Sequence, residues 1–435
     1  MAQAAVAPGP QERYDLDAND DCLPLLQQWL GQFGNTFAVP SQTRPGNALF
    51  INDPDDIRRV LLTQRANYVK GAGLERVRML LGNGLIVSDG EHWARQRPMI
   101  QPAFLGNATR AFAPLIQSVN EALLARWAKK ATSGEVIDIT HELSAVALDI
   151  VLRALFSVDF DRLIESEGKS PFDFLADESE RDLQFAVRFR GLTRFVRAII
   201  EARRTEGRVE SDWLSMMMQA RDKASGEPMA DRALLDESMT MIVAGHETTG
   251  STLNWAWYLI SQHPEVEREL HRAIAGTAVP ATAAAEGGEP DGGSYVERVL
   301  QEALRLYPPV WLFSRRAVKE DVLGGHEVMP GTDIFISPYL LHRSAEHWQN
   351  PDDFMPERFE PASAQGRHRF AYLPFSAGPR FCVGAGFAMA EMAMHMSMVA
   401  SRFRMEYLGD GPAQPEFQIN LRTRHPILMR LVARH

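Results

Sequence analysis

The sequence predicts a mainly α-helical protein with a small β portion, and three observations support that prediction. From Gly106 to about Met218, apolar residues recur at three- and four-residue steps, as expected for packed helices. The segment DRALLDESMTMIVAGHETTGSTLNWAWYLISQH is apolar on nearly every side, so we expect a long helix at the centre of the protein. Short strand-like pieces, separated by Gly and Pro turns, occur near the start and after Pro309.

The early elements follow from local signals. NALFINDPDDIRRVLLTQ predicts a short strand, a turn, and a helix that begins near Pro54 and ends near Thr63. DGEHWARQRPMIQPAF predicts a turn and then a basic helix that Pro98 disturbs near its end. The polar break RDKASGEPMAD places the start of the central helix near Asp231.

The later elements are shorter until the last helix. SYVERVLQEALRLY predicts a helix that stops at Pro308, and RRAVKEDVLGG and HEVMPGTDIFISPYLL predict short strands. GAGFAMAEMAMHMSMVASRF predicts a final long helix. Residues 275–293, rich in Ala, Gly and Pro, are predicted to form a mobile surface loop, and residues 1–20 a flexible leader. Because no internal repeat or composition break divides the rest, we expect residues 21–435 to be a single domain.

Composition excludes several classes of protein. The 435 residues carry a formal net charge of −10, which argues against a general nucleic-acid binder. No apolar run approaches the roughly 18 residues of a membrane-spanning helix, and the first residues lack a secretory signal, so no membrane anchor is expected. Two cysteines make no disulfide framework, which favours a reducing compartment and predicts a cytoplasmic location. Cys22 lies in no motif and receives no role.

The stretch FSAGPRFCVG, residues 375–384, places the second cysteine in a predicted loop. Gly378 and Gly384 are expected to permit a tight backbone path there. The helix predicted after Cys382 and the nearby Arg380 would both favour a thiolate over a thiol. Because no Cys or His stands nearby at zinc spacing, this lone thiolate suits a cofactor that supplies the other ligands itself, such as haem.

AGHETTGST places polar residues inside the apolar central helix. A threonine within a helix can hydrogen-bond back to a carbonyl, and Gly245 beside it favours a local opening of the backbone ladder. We therefore expect a polar notch at this point of the helix. A zinc protease of the HExxH type is excluded, because its second histidine would be residue 250, which is Gly250.

Two weaker motifs follow. In EALR, Glu302 and Arg305 stand three residues apart on a helix and can form an ion pair. In PERF, Arg358 is a second possible partner for Glu302. Each motif alone is ordinary.

Taken in order, HWARQR, AGHETT, EALR, PERF and FSAGPRFCVG resemble the cytochrome P450 family over nearly the whole chain. The last motif matches that family's haem-binding pattern, Phe-x-x-Gly-x-Arg-x-Cys-x-Gly, at Phe375, Gly378, Arg380, Cys382 and Gly384. The resemblance implies the P450 fold, with a large helical domain, a long central helix over the haem and minor β-sheets. It also implies haem b as the cofactor and Cys382 as the axial ligand of its iron.

The resemblance assigns further residues to the cofactor and its scaffold. Trp93 and Arg97 match a family Trp-x-x-x-Arg pattern that binds the haem propionates, and His92 could join them. Arg380 and Arg316 are expected to be further propionate partners. Arg316 is preferred for its spacing to Asp321, and Arg315 is its rival. Glu302, Arg305 and Arg358 resemble the family's buried structural ion-pair triad.

The resemblance also implies the reaction. Glu247 and Thr248 match the family's acid–alcohol pair, which relays protons to iron-bound dioxygen. The expected activity is a monooxygenase that inserts one oxygen atom into a C–H or C=C bond of a hydrophobic molecule. By position, the substrate pocket is expected to include five apolar residues: Ile86, Met241, Ala244, Val310 and Leu312. A fatty acid, a terpenoid and a polyketide remain open as substrates.

Partners and alternatives complete the prediction. The sequence contains no flavin fingerprint and no iron–sulfur cysteine cluster, so electrons from NAD(P)H are expected to arrive through a separate ferredoxin or flavodoxin. Basic residues such as Arg97, Arg367 and Arg369 would form its docking patch. The alternatives are a haem-thiolate peroxygenase or isomerase and, outside the enzymes, a haem sensor. The Glu247–Thr248 pair argues against all three.

Overall fold

The computed structural model describes residues 6–17, 22–177, 183–275 and 293–434. Within these ranges the helices are α1 Leu23–Phe33, α2 Pro54–Arg58, α3 Leu74–Leu81, α4 Gly90–Ile100, α5 Gly106–Ala111, α6 Ala113–Ser133, α7 Ile139–Phe156, α8 Val158–Glu167, α9 Phe174–Asp177, α10 Leu183–Glu206, α11 Trp213–Gln219, α12 Asp231–Gln262, α13 Pro264–Ile274, α14 Tyr295–Leu306, α15 Pro338–Leu341, α16 Pro361–Ala364 and α17 Ala385–Ala400. Short π or 3-10 segments include Arg59–Thr63, Pro356–Phe359 and Gly378–Arg380.

The strands are short. They are β1 Thr36–Pro40, β2 Asn47–Ile51, β3 Tyr68–Lys70, β4 Val136–Asp138, β5 Phe313–Ala317, β6 Asp321–Leu323, β7 His326–Val328, β8 Asp333–Ile336, β9 Phe403–Tyr407, β10 Pro415–Phe417, β11 Leu421–Thr423 and β12 Leu428–Ala433. The mainly α fold class with a small β portion is therefore confirmed.

The predicted boundaries of the helices agree with the structure at several points. The central helix α12 begins at Asp231, directly after the polar break, and continues to Gln262. Helix α14 ends at Leu306, two residues before Pro308. Pro98 lies inside the last turn of α4, which ends at Ile100. These boundaries follow from local chemistry, since proline and polar breaks limit where a helix can continue.

The chain divides into two compact units. The first comprises Met1–Arg76, Glu302–Cys382 and Pro415–Arg422. Its main sheet has the strand order β1-β2-β8-β5-β3, in which only β2 and β8 are parallel. One face of this sheet packs a buried apolar core that includes Leu49, Ile57, Ile334, Ile336 and Leu373.

The second unit comprises Val77–Gln301, Val383–Gln414 and Thr423–His435. Helix α12 packs most extensively against α7 and also contacts α10, α11, α13 and α17. Because α12 is apolar on nearly every side, it is buried along most of its length. A small sheet with the order β4-β12-β9 also belongs to this unit.

The predicted surface loop and leader lie largely or partly outside the described residues. The mobile loop predicted for 275–293 lies almost entirely outside the described residues. The leader predicted for 1–20 is described only in part, and there its Pro8 and Tyr14 make backbone hydrogen bonds to Ala38 and Pro40 of β1. The single domain over 21–435 stays a prediction. No helix in the described ranges has the length and apolar composition that a membrane crossing requires.

Candidate functional site

The cysteine loop is closed by its own backbone. The N–H of Cys382 donates to the carbonyl of Phe375 at 2.9 Å, and the N–H of Phe381 donates to Gly378 at 3.0 Å across a 3-10 turn. The rings of Phe375 and Phe381 lie 6.3 Å apart, edge to face. These contacts fix the loop while the Cys382 side chain stays exposed. Cys22, in contrast, is completely buried.

The two loop glycines serve different purposes. Gly378 has a φ of 66°, and a Cβ there would overlap the carbonyl of Leu61, so both conformation and space require glycine. Gly384 has a φ of −89°, which any residue adopts, and a Cβ there would lie 3.9 Å from the Phe104 ring. The expectation of special backbone freedom therefore holds for Gly378 and is wrong for Gly384.

The donor chemistry fits a cofactor that brings its own ligands. Among the described residues, no group of three or more His, Cys, Asp or Glu side chains is placed to hold a metal ion. A thiolate held in this loop could supply one bond to a haem iron, and the porphyrin nitrogens would supply the others. The residues present therefore suit haem better than a protein-only metal centre.

The polar stretch of α12 coincides with a gap in the burial of that helix. Residues 243–245 and 247–248 are half-buried, whereas the flanking turns are almost entirely buried. The Thr248 hydroxyl donates to the carbonyl of Ala244 at 2.7 Å. One turn later, the Thr252 hydroxyl makes the same kind of bond to Thr248 at 2.8 Å. Glu247 and Thr248 thus lie on the accessible part of an otherwise enclosed helix.

The predicted opening of the helix at Gly245 is absent, because α12 is continuous from Asp231 to Gln262. The glycine has a packing role instead. A Cβ at Gly245 would lie 2.6 Å from a methyl group of Val151, and one at Gly250 would lie 3.1 Å from the Cα of Ser144. Both contacts are with α7, so the two glycines permit the close approach of α7 to α12.

The predicted propionate residues on α4 are half-buried. Trp93 and Arg97 lie one turn apart, which puts them on the same face of the helix. The Arg97 Nε lies 3.4 Å from the Oε1 of Gln101. His92 has a different contact, since its Nε2 lies 3.1 Å from the carbonyl of Asn83. Arg380 is half-buried in the 3-10 turn of the cysteine loop.

Arg316, which is preferred for its spacing to Asp321, pairs with Asp333 in the structure. The guanidinium of Arg316 binds both carboxylate oxygens of Asp333 at 2.9 Å. Asp321 accepts hydrogen bonds from Arg59 at 2.9 Å and from the Tyr68 hydroxyl at 2.7 Å. These bonds hold the pKa of Asp321 below its usual value, against the effect of burial. The propionate role of Arg316 stays a prediction.

Arg315 lies on the opposite face of strand β5 from Arg316, since side chains alternate along a strand. It is buried, with 7% of its surface exposed. Its Nη1 donates to the carbonyl of Ser314 at 2.8 Å, and its guanidinium lies 5.1 Å from the ring centre of Phe313.

The predicted ion-pair residues meet in a fully enclosed cluster. Arg305 binds Glu302 in a bidentate manner, Nε to Oε2 at 2.7 Å and Nη2 to Oε1 at 2.8 Å. Arg358 adds a bond to Oε1 at 3.1 Å, as does the N–H of Met355 at 2.9 Å. Glu302 and Arg305 are both 0% exposed. The remaining guanidinium hydrogens go to backbone carbonyls, including His342 at 2.8 Å, so the charges are well compensated.

The residues expected in a docking patch differ in exposure. Arg367 stacks over the ring of Trp348 at 4.1 Å and donates to the carbonyl of Arg358 at 2.6 Å, so it supports the ion-pair cluster. Burial lowers its pKa. Arg369 is exposed, and Arg97 is half-buried.

The predicted pocket residues are divided between the two units. Ile86, Met241 and Ala244 belong to the second unit, and Val310 and Leu312 to the first. Met241 is buried, Val310 is 40% exposed, and the other three are half-buried. Sequence reasoning missed two acidic residues, Asp236 and Glu237, which are buried in the first turns of α12 and bind the segment before α4. Their signal is a pair of adjacent acids inside an apolar helix.

Comparison with known proteins identifies the family. The family model described as cytochrome P450 matches residues 26–178 and 169–429, most of the chain. This chain belongs to the cytochrome P450 family. Among curated P450 relatives, cyclooctatin synthase of Streptomyces melanosporofaciens is 32% identical over 393 residues, covering 86% of this chain and 84% of that protein. Pentalenene oxygenase of Streptomyces avermitilis is 28% identical over 410 residues, covering 90% and 89%.

Solved structures agree on the P450 fold. The crystal structure of the cytochrome P450DA haem domain superimposes with a TM-score of 0.83 at 23% identity, covering 99% of each chain. Membership of the family makes this protein a cytochrome P450 monooxygenase with haem as its cofactor. A P450 also requires a source of electrons and a hydrophobic substrate.

Proposed function

We propose that this P450 inserts one atom of dioxygen into a C–H or C=C bond of a terpenoid, with Cys382 as the thiolate ligand of the haem iron. The observation that supports this most directly is the cysteine loop. Its backbone bond from Cys382 to Phe375, at 2.9 Å, holds an exposed sulfur in a segment that matches the family's haem-binding pattern.

When bound, haem supplies the iron at which dioxygen is activated. Cys382 would hold that iron and donate electron density to it. Helix α17 begins three residues after Cys382, which places the positive end of a helix dipole close in sequence to the thiolate. The Thr248 hydroxyl, which can both donate and accept, would hold and hand on a proton at its Oγ1, and Glu247 would resupply that proton from solvent.

Charge pairing would fix the cofactor through its two propionates. Trp93, Arg97 and Arg380 keep this proposed role, and His92 is weaker because its ring contacts Asn83. At β5 we favour Arg315 over Arg316, since the bidentate bond to Asp333 already occupies Arg316. An arginine in a fixed bidentate pair is poorly suited to bind a second carboxylate.

The substrate class rests on the apolar pocket positions and on relatives. Cyclooctat-9-en-7-ol 5-monooxygenase of Streptomyces melanosporofaciens is 32% identical over 382 residues and, by its name, acts on an unsaturated alcohol. The name of pentalenene oxygenase gives an unsaturated substrate as well. On the strength of these relatives we favour a terpenoid over a fatty acid or a polyketide. Electrons would come from NAD(P)H through a ferredoxin or flavodoxin that docks on exposed basic residues such as Arg369.

The test is the absorption spectrum of the dithionite-reduced protein with carbon monoxide. We expect a strongly red-shifted Soret band for the wild type and its loss in Cys382→Ser. Cys22→Ser is the matched control, because that buried thiol donates to the carbonyl of Leu16 at 3.7 Å and lies outside the cysteine loop, so the band should stay unchanged. A wild type that binds haem without the shifted band would overturn the thiolate assignment. Substrate candidates are then found by titrating terpenes against the spin state of the same sample.

A further inference from the structure

Two adjacent acids of α12 bind the backbone of the segment Gly82–Ser88, which we call the strap. The N–H of Asn83 donates to Oδ2 of Asp236 at 3.0 Å, and the N–H of Leu85 donates to Oε2 of Glu237 at 3.0 Å. The strap connects α3 to α4 and contains Ile86, one of the proposed pocket residues. All of these residues belong to the second unit.

Glycines let the strap lie directly on the helix. A Cβ at Gly84 would overlap the hydroxyl of Thr240 and would lie 2.9 Å from the carbonyl of Asp236. A Cβ at Gly82 would overlap the carboxylate of Asp236, and its φ of 71° disfavours other residues as well. The contact is therefore close along the whole first half of the strap.

Two further side chains contact backbone carbonyls of the strap. The Nη2 of Arg78 donates to the carbonyl of Val87 at 2.7 Å, and the Nε2 of His92 lies 3.1 Å from the carbonyl of Asn83. Ile86 thus lies between two tethered residues, Leu85 and Val87. Its position follows from theirs, because one residue between two fixed neighbours has little freedom.

Glu237 is the most enclosed member of this arrangement, with 1% of its surface exposed. Among the described residues, its second carboxyl oxygen, Oε1, has no hydrogen-bond partner. Burial and the adjacent charge of Asp236 raise its pKa to about 7, although the bond from Leu85 works in the opposite direction. Burying a carboxyl group costs free energy, so its presence here indicates a specific role.

The face of α12 that carries Glu237 leads to the reaction centre proposed above. Met241, Ala244 and Thr248 follow Glu237 at four, seven and eleven residues, which is one stripe of an α-helix. The rise from Glu237 to Thr248 is about 16 Å. The residue that fixes the strap and the residues proposed to line the pocket therefore lie along one line.

We propose that Glu237 is a positioning residue for substrate recognition: by holding the Leu85 amide, it sets the position of Ile86 relative to Met241 and Ala244. The inference rests on the proposed function, because it takes those three residues as part of the pocket. Glu237 acts through the strap and does not touch substrate. An amide at this position would still accept the Leu85 hydrogen bond, whereas an aliphatic side chain would not.

The first measurement is hydrogen exchange of the intact, haem-loaded protein, followed in peptides that cover residues 82–88. We expect Glu237→Leu to raise the exchange rate at Leu85 by about tenfold or more, because the buried acceptor is lost. Glu237→Gln should exchange like the wild type. Glu391→Leu removes another fully buried acid of the same unit and should leave strap exchange unchanged. Equal exchange in the Leu and Gln variants would overturn the tether.

The second measurement compares imidazole with the larger 4-phenylimidazole. Both bind to the haem of the loaded protein, and the absorption spectrum reports their affinities. For Glu237→Leu we expect the affinity for 4-phenylimidazole to fall by about three- to tenfold and that for imidazole by less than about twofold. Glu237→Gln should bind both compounds with the affinities of the wild type. Gly84→Ala displaces the same strap, so its effect should not add to that of Glu237→Leu. Faster strap exchange with an unchanged ratio of the two affinities would overturn the role in recognition.

The carbon monoxide spectrum distinguishes a failure of this proposal from a failure of the proposed function on which it rests. If the wild type and Glu237→Leu both show the shifted Soret band, haem-thiolate ligation stands and only the positioning role is under test. If the wild type lacks the band, the proposed function has failed, and the exchange experiment still decides whether Glu237 holds the strap.

Discussion

Arg316 and Asp333 form a bidentate ion pair in which Nε and Nη2 each lie 2.9 Å from a carboxylate oxygen. The two residues face each other in the antiparallel register of β5 and β8. Asp333 also accepts the N–H of Ala72 at 3.1 Å and lies 3.4 Å from Arg44. This carboxylate is 5% exposed, so its four donors compensate a buried charge. The Arg316–Asp333 ion pair therefore stabilises the fold of the first unit.

This pairing predicts opposite consequences for two neighbouring arginines. Arg315→Met should accelerate the transfer of haem to apomyoglobin by about tenfold, because one propionate loses a charged partner, and it should change the melting temperature little. Arg316→Met should lower the melting temperature by several degrees, since it leaves Asp333 short of donors, with haem transfer close to that of the wild type. The reverse pattern would return the propionate role to Arg316.

The Glu302 cluster predicts a loss of stability that charge removal alone causes. Glu302→Gln should cost about 3–5 kcal/mol of unfolding free energy, because two buried guanidinium groups lose their common carboxylate. Thermal unfolding followed by circular dichroism measures this loss. Glu357→Gln, in the same short 3-10 segment as Arg358 but exposed, is the control and should melt within about a degree of the wild type. A mild effect of Glu302→Gln would mean that the backbone carbonyls alone satisfy the two arginines.

How far the sequence leads is clear from these two clusters. Glu302 and Arg305 are three residues apart on one helix, so their contact is local and a short motif predicts it. The partner of Arg316 depends on the register between β5 and β8, which no local pattern contains. Likewise, Arg59 and Tyr68 bind Asp321 from distant parts of the chain, and no local pattern predicts those contacts.

The same distinction separates the features of α12. Its start at Asp231 is local, because a polar Gly/Pro break precedes it. The role of Gly245 depends on the approach of Val151 from α7, and the tether at Glu237 depends on a loop about 150 residues earlier. The family resemblance supplied the expected roles of Cys382 and Thr248, which composition and periodicity alone leave open.

His395 predicts a dependence of stability on pH. The indole N–H of Trp257 donates to Nε2 of His395 at 3.3 Å. The proton of the neutral imidazole is therefore on Nδ1, which donates to Oδ1 of Asn120 at 2.7 Å. Burial lowers its pKa to about 3. Its stabilising contribution is therefore complete above pH 6.5 and is lost as the pH falls towards 3, by about 3 kcal/mol at pH 4.

Urea unfolding from pH 8 to pH 4 tests this contribution. The unfolding free energy of the wild type should fall more steeply with acid than that of His395→Gln, which cannot gain the proton. Parallel curves for the wild type and His395→Gln would mean that His395 is protonated as easily in the folded protein as in the unfolded chain.

Thr248 predicts a loss of coupling between electron use and product formation. Its hydroxyl lies on the accessible part of α12 and donates to Ala244 at 2.7 Å, so a small rotation frees it to pass a proton. With a terpene found by spin-state titration and a surrogate ferredoxin pair, Thr248→Ala should lower product per NAD(P)H by about tenfold or more and release hydrogen peroxide, whereas Thr248→Ser should retain coupling. Thr252→Ala removes the equivalent bond one turn later, in a fully enclosed position. If Thr252→Ala uncouples the reaction as strongly as Thr248→Ala, the effect comes from the bending of the helix by back-bonded threonines and not from proton transfer at Thr248.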